Sequence, residues 1–382
     1  MNNRIELDRY DRLKRRMVKE QFDVTVALST ANTIYFTGTY ITTQVDDPER
    51  LLITVLPAEG KPTVIGCIIE KTIIDSETWV EDRRYYTQFK ENPIHILADL
   101  LEEKGLAGGK IGIELNYLTA NYYLDLIKRL PQSSFYDCSV AFSEVKMIRD
   151  SVEIQYLTEA ARLTNAAFNQ TLTEMHPGCT ERDFASQVKV HMIERGANSI
   201  AFFAAGYGKN TLLNHHVPDD TVMESGDMLR LDFGCKYKWQ YNSDLGRTVM
   251  VGTPNTKYLD IYQRYSEAYE QIVEGMKVGI SGKEFYNHCV QTMQKFQIPF
   301  TAGAVAHSLG VSIKELPILG AAYDYTLEEN MVFCLEPWAI VEGRQFHHEE
   351  LILITNTLTV PESSMWCCPL VLSPARTRTS RC

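Results

Sequence analysis

The first 150 residues alternate short apolar runs with segments of helical periodicity. Residues 8–21 predict a helix, because Leu13 and Met17 lie four positions apart on one face. The run VTVALS predicts a strand, and it is followed by ANTIYFTG and by the apolar runs LLITVL and PTVIG. Further helices are predicted over 95–103 and roughly 120–130, with the strand IGIE between them. This alternation predicts an α/β domain in which helices cover a mixed sheet.

A domain boundary is expected near Asp150, where the charged segment EVKMIRDS precedes a long helical pattern. The sequence of residues 1–150 contains no catalytic nucleophile, metal-ligand cluster or phosphate loop that we recognise, so this domain is interpreted as a scaffold. Residues 151–360 form the second predicted domain. Residues 361–382 follow no periodicity and are expected to be an irregular tail, either disordered or foreign to the native reading frame.

The second domain contains an internal repeat. The segments NAAFNQTLTEMHPGCTERDF and SEAYEQIVEGMKVGISGKEF match at a constant offset of 101 residues, with Gly178 aligned to Gly279. Each copy predicts a helix, a turn closed by a glycine and a second helix. Thr180 and Ser281 are natural N-caps, with an acidic capping-box partner three positions later. The repeat predicts two similar halves that face each other.

A predicted strand pair follows each half. LRLDFG precedes NSDLGRTVMVG in the first half, and MVFCLEPW precedes HHEELILIT in the second. The first pair carries Asp232 and Asp244 inside apolar runs, and the second carries Glu336 and Glu349. Both halves therefore place acids at corresponding positions.

Four converging carboxylates would repel one another and largely protonate unless cations neutralise them. Two divalent ions balance four charges, and oxygen-rich ligands suit Mn²⁺, Co²⁺, Fe²⁺ or Zn²⁺. His307 adds a neutral nitrogen ligand. Because carboxylates can bridge, these five residues suffice for two ions about 3.5–4 Å apart, which lower the pKa of a shared water. The pattern therefore predicts a two-metal hydrolytic site.

In two pairs of adjacent residues, the sequence does not show which member faces the site. Neighbouring residues of a strand point to opposite faces, so only one of Glu349 and Glu350 can enter the site. The same argument applies to His215 and His216 in the segment NHHVPDD, of which one is expected to face the site.

Composition and charge restrict the binding partners and the cellular location that can be expected. A formal net charge of -11 argues against a nucleic-acid surface, which usually presents clustered Lys and Arg. No run of about 18 apolar residues occurs, so no membrane span is expected. The opening MNNRIELDRYDRLKRR is too charged for a signal peptide, and the nine scattered cysteines fit reduced thiols. A cytoplasmic location is therefore expected.

The motifs LDFG, SDLGRT, HSLGVSIKELP, LEP and EELILIT occur in the order in which the family of aminopeptidase P, prolidase and creatinase carries its ligand motifs. The chain resembles this family over residues 5–355, and NTIYFTG resembles its non-catalytic N-terminal domain. The resemblance implies a creatinase-like N-terminal domain followed by a pseudo-two-fold pita-bread catalytic domain. It implies the metal ligands Asp232, Asp244, His307, Glu336 and Glu349. It also implies a substrate-side role for His215, a proton-shuttling role for Glu336 and a homodimer.

Three positions depart from the family pattern. Lys314 stands where the peptidases carry a second histidine that helps to hold the substrate and the developing oxyanion, and it is a candidate catalytic cation. His347 stands where proline-specific members often carry an arginine, and it is a candidate substrate-binding residue. Asp232 and Asp244 are twelve positions apart, where the family usually has eleven, so a bulge or a longer turn is expected.

The function expected from the resemblance is hydrolysis of the bond before proline in peptides or dipeptides, with two divalent ions, Mn²⁺ being favoured over Co²⁺, Zn²⁺ or Fe²⁺. The departures at Lys314 and His347 keep two alternatives open. One is hydrolysis of a small non-peptide C–N compound, as creatinase-like enzymes perform it. The other is a catalytically impaired homologue that retains the metal ligands.

Overall fold

The computed structural model describes residues 4–47, 49–238, 240–355 and the backbone of 370–372. The chain divides into two compact units, Met1–Lys146 and Met147–Cys382. The division falls a few residues before Asp150, which is the N-cap of the first helix of the second unit. None of the helices in these described ranges is both long enough and apolar enough to cross a membrane.

The first unit is a mixed six-stranded sheet with helices. Its helices are α1 (Arg4–Glu20), α2 (Thr30–Thr37), α3 (Thr42–Asp46), α4 (Lys71–Glu77), α5 (Pro93–Glu103), α6 (Ala120–Arg129) and α7 (Ser139–Met147), with a 3-10 turn at Ile68–Glu70. Its strands are β1 (Val24–Ala27), β2 (Ile53–Pro57), β3 (Thr63–Cys67), β4 (Asp82–Tyr86), β5 (Lys110–Ile113) and β6 (Ser134–Asp137), in the order β4-β3-β2-β1-β5-β6. β2 pairs antiparallel with β1 and β3, whereas the other pairings are parallel. The mixed sheet that the sequence predicts is confirmed.

The segment ANTIYFTG forms a buried helix, α2, within this unit. Ser29 caps its start by accepting a hydrogen bond from the Asn32 amide, and Gly38 ends it in the left-handed region at φ 73°. Buried Glu114 fixes the turn before α2 by accepting from the Leu28 amide at 2.6 Å and the Ser29 amide at 2.8 Å. Gly38 suits the C-terminal end of α2 because L side chains are strained at positive φ.

The described residues of the second unit form two helix pairs and two principal sheets. Its helices are α8 (Ser151–Glu174), α9 (Glu181–Glu194), α10 (Thr256–Glu274) and α11 (Gly282–Lys295), with a 3-10 turn at Gly208–Leu212. Its first strands are β7 (Ser199–Tyr207), β8 (Met228–Tyr237), β9 (Tyr241–Asn242) and β10 (Leu245–Val251). They are followed by β11 (Ala304–Ser308), β12 (Glu315–Gly320), β13 (Val332–Leu335), β14 (Ala339–Val341), β15 (Arg344–Phe346), β16 (Glu350–Leu353) and β17 (Leu370–Leu372).

The strand orders are β17-β10-β8-β7 and β12-β11-β13-β16, with β9 paired to β8 and β14 paired to β15. β17 runs parallel to β10. The remainder of the predicted tail, 361–369 and 373–382, lies outside the described residues. The hairpin between Asp232 and Asp244 accommodates its length through β9 and through positive φ angles at Lys238 and Gln240.

The internal repeat corresponds to α8–α9 and α10–α11. Thr180 and Ser281 each complete a capping box, with Asp183 and Glu284 as partners. Gly178 and Gly279 have φ angles of 101° and 89° in the intervening turns. The predicted helix–turn–helix units are therefore confirmed, including their caps. Each pair is followed by one antiparallel strand pair, β8 with β10 and β13 with β16.

Aromatic side chains pack the second helix pair onto its sheet. Tyr265, Tyr269 and Phe285 are buried in one core cluster with Phe333 and Leu335. The Tyr269 hydroxyl also donates to the Leu335 carbonyl at 2.8 Å. Burying each of these rings contributes roughly 2–3 kcal/mol. This packing fixes the strand that ends immediately before Glu336.

Candidate metal centre

The two ligand-bearing strand pairs meet at one backbone bridge. Gly246 of β10 and Glu349, directly before β16, exchange both amide-to-carbonyl hydrogen bonds at 3.2 Å. Asp232 pairs with Gly246 across β8 and β10. Asp244 directly precedes β10, and Glu336 directly follows β13. The fold therefore converges all four predicted acids on one cluster.

The first half of the cluster surrounds His307. Asp244, His307, Glu349 and Cys334 each offer a potential ligand atom, and these atoms all lie within 4.8 Å of one another. His307 Nε2 lies 3.7 Å from Asp244 Oδ2 and 3.6 Å from Glu336 Oε1. His307 Nδ1 lies 3.0 Å from the Ser308 carbonyl. Because a carbonyl only accepts, Nδ1 carries the hydrogen and the lone pair of Nε2 faces the carboxylates.

The second half of the cluster contains Asp232, His347 and Glu349, whose potential ligand atoms also lie within 4.8 Å of one another. Glu349 belongs to both halves and is thus placed where a bridging carboxylate would be. Its Oε2 lies 3.4 Å from His347 Nε2.

The donor set fits a pair of divalent cations. Metal–ligand bonds of about 2.1 Å in a tetrahedral arrangement separate the donors by about 3.4 Å, close to the 3.4–3.7 Å seen here. Asp244 Oδ1, Glu349 Oε2 and both ring nitrogens of His347 are buried without a hydrogen-bond partner. Leaving such atoms unpaired is costly, and metal coordination removes that cost.

The electrostatics of the clustered side chains agree with this interpretation. Burial, and then neighbouring carboxylates, raise the pKa values of Asp244 and Glu349 well above their ordinary range. Burial and the charge of Asp232 raise the pKa of Glu336 to about 7. Burial also raises the pKa of Asp232, and the nearby Arg230 opposes this effect. Burial lowers the pKa of His307 to about 4, so its ring is neutral at pH 7 and available as a ligand.

Lys314 and His215 lie at the periphery of the cluster. Both side chains are exposed. The charge of Lys314 partly opposes the rise in the pKa values of Asp232, Asp244 and Glu336. The charge of His215 partly opposes the rise in the pKa of Asp232. Both residues are therefore within electrostatic range of the carboxylates.

The structure separates the adjacent pairs of the sequence. Glu350 forms an ion pair with Arg247 at 2.6 Å, whereas Glu349 belongs to the cluster. His216 binds Glu181 through Nε2 at 2.8 Å, which leaves His215 as the histidine whose charge reaches Asp232.

The acid that follows Lys314 has a different environment. Glu315 is buried and pairs with Arg149 at 2.7 Å, and Arg149 also contacts Glu153 at 3.2 Å and donates to the Ser308 hydroxyl at 2.9 Å. This network anchors the strand that carries His307 and contributes no carboxylate to the cluster.

Arg230 and Cys334 are site residues that sequence reasoning missed. Arg230 Nη2 donates to Asp232 Oδ2 at 3.0 Å, and Arg230 Nη1 donates to the Asn214 carbonyl beside His215. The Cys334 thiol donates to Glu349 Oε1 at 3.0 Å, and burial raises its pKa well above the ordinary range, so it stays protonated. Each residue lies two positions before a predicted ligand, so alternation along the strand could have identified both.

Glu181 is the third such residue. Its buried carboxylate accepts hydrogen bonds from the segment 207–219, which carries His215. The donors are the Tyr207 amide at 2.6 Å, Asn210 Nδ2 at 3.0 Å, His216 Nε2 at 2.8 Å and the Asp219 amide at 3.2 Å. Nothing in the sequence distinguishes Glu181 from an ordinary acid in the first turn of a helix.

Comparison with known proteins places this geometry in a family. Residues 155–356 match the model of metallopeptidase family M24, and residues 9–148 match that of the creatinase/prolidase N-terminal domain. An uncharacterised peptidase of Bacillus subtilis is 30% identical over 302 residues, which are 74% of this chain and 83% of the relative. An Xaa-Pro dipeptidase of Pyrococcus horikoshii is 30% identical over 259 residues, 66% of this chain and 73% of the relative.

Solved structures show the same fold. An Xaa-Pro dipeptidase from Bacillus anthracis superimposes with a TM-score of 0.86 at 23% identity, covering 96% of this chain and 99% of that one. An X-Pro aminopeptidase from Thermotoga maritima gives a TM-score of 0.82 at 21% identity, covering 94% and 99%. Since the M24 model spans more than half of the chain, this protein belongs to metallopeptidase family M24, with a creatinase/prolidase N-terminal domain before its catalytic domain.

Proposed function

We propose that this metallopeptidase hydrolyses the bond before proline in dipeptides or short peptides, using two divalent ions held by Asp232, Asp244, His307, Glu336 and Glu349. The observation that carries the proposal is the position of Glu349, which belongs to both groups of potential ligand atoms. A carboxylate in that position can bridge two cations. Bound ions would supply Lewis-acid polarisation of the substrate carbonyl and an activated water.

The chain's own groups would handle protons and charge. Glu336 Oε1 lies 3.6 Å from His307 Nε2 in the cluster, where its carboxylate would accept a proton and return it. Lys314 would stabilise the developing oxyanion as a cation in place of a histidine. His215, which Arg230 and Glu181 hold through its loop, would contact the substrate.

Substrate class is supported by relatives. The Pyrococcus horikoshii protein that is 30% identical is an Xaa-Pro dipeptidase. Mn²⁺ is the favoured metal, with Co²⁺, Zn²⁺ or Fe²⁺ as alternatives, because oxygen ligands dominate the set. A homodimer is part of the same proposal and is supported by the family resemblance alone. A cytoplasmic location is also proposed, because the scattered cysteines fit reduced thiols.

The test compares hydrolysis of an Xaa-Pro dipeptide with that of the matched Xaa-Ala dipeptide, after Mn²⁺ is supplied. We expect cleavage of the Xaa-Pro substrate and about two ions per chain. Asp244→Asn should lose both the activity and the metal. Asp260→Asn makes the same change at an exposed helical position and should alter neither. Metal binding without cleavage of any Xaa-Pro substrate would contradict the substrate assignment.

A second candidate function is hydrolysis of a small non-peptide C–N compound. It is favoured by Lys314, whose fixed charge suits an anionic substrate better than a neutral imidazole does, and by the absence of an arginine at position 347. Turnover of creatine or a related amidino acid without turnover of Xaa-Pro dipeptides would select this alternative.

A further inference from the structure

His347 occupies a position that the five-ligand set leaves unexplained. Its side chain is 1% exposed, and neither ring nitrogen has a hydrogen-bond partner. The Leu231 carbonyl lies near the ring, yet outside hydrogen-bonding geometry. A buried imidazole with two unsatisfied nitrogens is costly, so an interaction partner is expected.

One ring nitrogen of His347 lies beside the acids of the second half of the cluster. A ligand atom of His347 lies within 4.8 Å of ligand atoms of both Asp232 and Glu349. Nε2 is 3.4 Å from Glu349 Oε2, and that oxygen is itself unpartnered. Two buried polar atoms at this distance without a mutual hydrogen bond match two donors that share one cation.

The surrounding backbone holds the histidine in place. The Thr248 hydroxyl accepts from the His347 amide at 2.9 Å and donates to the His347 carbonyl at 3.0 Å. Gly246 provides the space for the ring, because a Cβ at this position would lie 2.8 Å from His347 Cε1 and 2.9 Å from Nδ1. The ring therefore fills the volume in which a side chain at position 246 would stand.

We propose that His347 is a sixth metal ligand, which joins Asp232 and Glu349 on one ion, while His307 joins Asp244, Glu336 and Glu349 on the other. Each ion then has one imidazole ligand. Four carboxylates already balance two dications. The neutral imidazole of His347 therefore adds a ligand to the ion at Asp232 without adding negative charge. This inference rests on the proposed two-metal site and replaces the substrate-binding role that the sequence suggests for His347.

The test is titration of Co²⁺ into the metal-free full-length protein, with calorimetry and cobalt X-ray absorption as readouts. The parent is expected to bind two ions with about one imidazole per cobalt. His347→Phe keeps the ring volume and removes both nitrogens, and it should lower the imidazole count to about one half per cobalt. The second ion should bind at least about tenfold more weakly, because even outer-shell partners of metal ligands are worth 10–100-fold in affinity.

A second variant and a control variant accompany this test. His347→Gln should also weaken the second ion if His347→Phe fails to fold, and His288→Phe changes a histidine that lies outside the cluster and contacts the Gln271 carbonyl. Unchanged stoichiometry, affinity and imidazole count in the His347 variants would overturn the inference and leave the five-ligand site intact. A parent that binds a single ion would overturn it too, with Arg230 neutralising Asp232 in place of the second cation. A parent that binds no metal would overturn the proposed function itself.

Discussion

Gly246 and Glu349 join the two halves of the catalytic domain through a reciprocal pair of backbone hydrogen bonds of 3.2 Å. This bridge sets the distance between Asp244, two residues before Gly246, and the carboxylate of Glu349. A Cβ on Gly246 would lie 2.8 Å from Glu349 Cβ. A glycine is therefore required here by close packing, since no positive φ is involved.

Gly246→Ala is expected to lower the free energy of unfolding by about 1–3 kcal/mol, as overpacking of a buried site does. It should also weaken metal binding, because both His347 and Glu349 must move. Chemical denaturation and Co²⁺ titration measure the two effects. Gly303→Ala adds the same methyl group where nothing lies within 4 Å, and it should change stability by less than about 0.5 kcal/mol. Equal behaviour of the two variants would refute this account of the bridge.

Glu181→Ala is expected to impair turnover without loss of metal. The substitution leaves buried donors of the His215 loop unpaired, which costs about 3 kcal/mol of stability. Steady-state kinetics should show a lower kcat/KM at unchanged metal content, and Glu181→Gln should restore part of it by retaining an acceptor oxygen.

Asp220→Ala is the matched control for that prediction. Asp220 directly follows this loop, but its carboxylate is exposed and pairs only with the exposed side chain of Arg182 among the contacts described. If Asp220→Ala reduced kcat/KM as strongly as Glu181→Ala, anchoring by Glu181 would not be the cause.

Local pattern and alternation predicted much of this fold and site. The capping boxes at Thr180 and Ser281 follow from three-residue spacing, and the convergence of Asp232 with Asp244 follows from a hairpin. Such features depend on neighbours in the chain, which a sequence displays directly.

Contacts between distant segments could not be predicted in this way. Glu181 reaches the His215 loop 35 residues away, and Arg149 reaches Glu315 166 residues away. The contact of Gly246 with the ring of His347 likewise brings together β10 and the distant segment between β15 and β16. The helix formed by ANTIYFTG was equally hidden, because its apolar run has no amphipathic period.

Metal binding is expected to release protons, so its affinity should fall as the pH falls below about 7. Glu336 has a pKa of about 7 in the metal-free cluster, and burial raises those of Asp244 and Glu349 well above their ordinary range. Cations bind the deprotonated carboxylates and must displace these protons. Calorimetric titrations in buffers of different ionisation enthalpy measure the number released. A release of zero at pH 6 would contradict the assignment.

The same shifts predict how the metal-free protein responds to pH. A carboxyl group with a raised pKa binds more protons in the folded than in the unfolded state, so its contribution to stability is lost as the pH rises through the folded pKa. The lowered pKa of His307 has the opposite effect on stability, but only at pH values below its ordinary pKa of 6.5. Between about pH 6.5 and 8 the metal-free protein should therefore lose stability as the pH rises. Denaturation of parent and Asp244→Asn should show a shallower slope in the variant.

Lys314→Met is expected to reduce kcat on Xaa-Pro dipeptides by about 10²–10³-fold, the usual loss when one preorganised oxyanion donor is removed. Metal content should not change, because Lys314 is exposed and acts on the carboxylates only through its charge. Lys283→Met removes an exposed lysine from α11 and serves as the control for surface charge. Lys314→His completes the comparison. A rate between those of the parent and Lys314→Met would agree with the lysine as the working donor. A large gain would mean that the natural site is impaired for peptide hydrolysis.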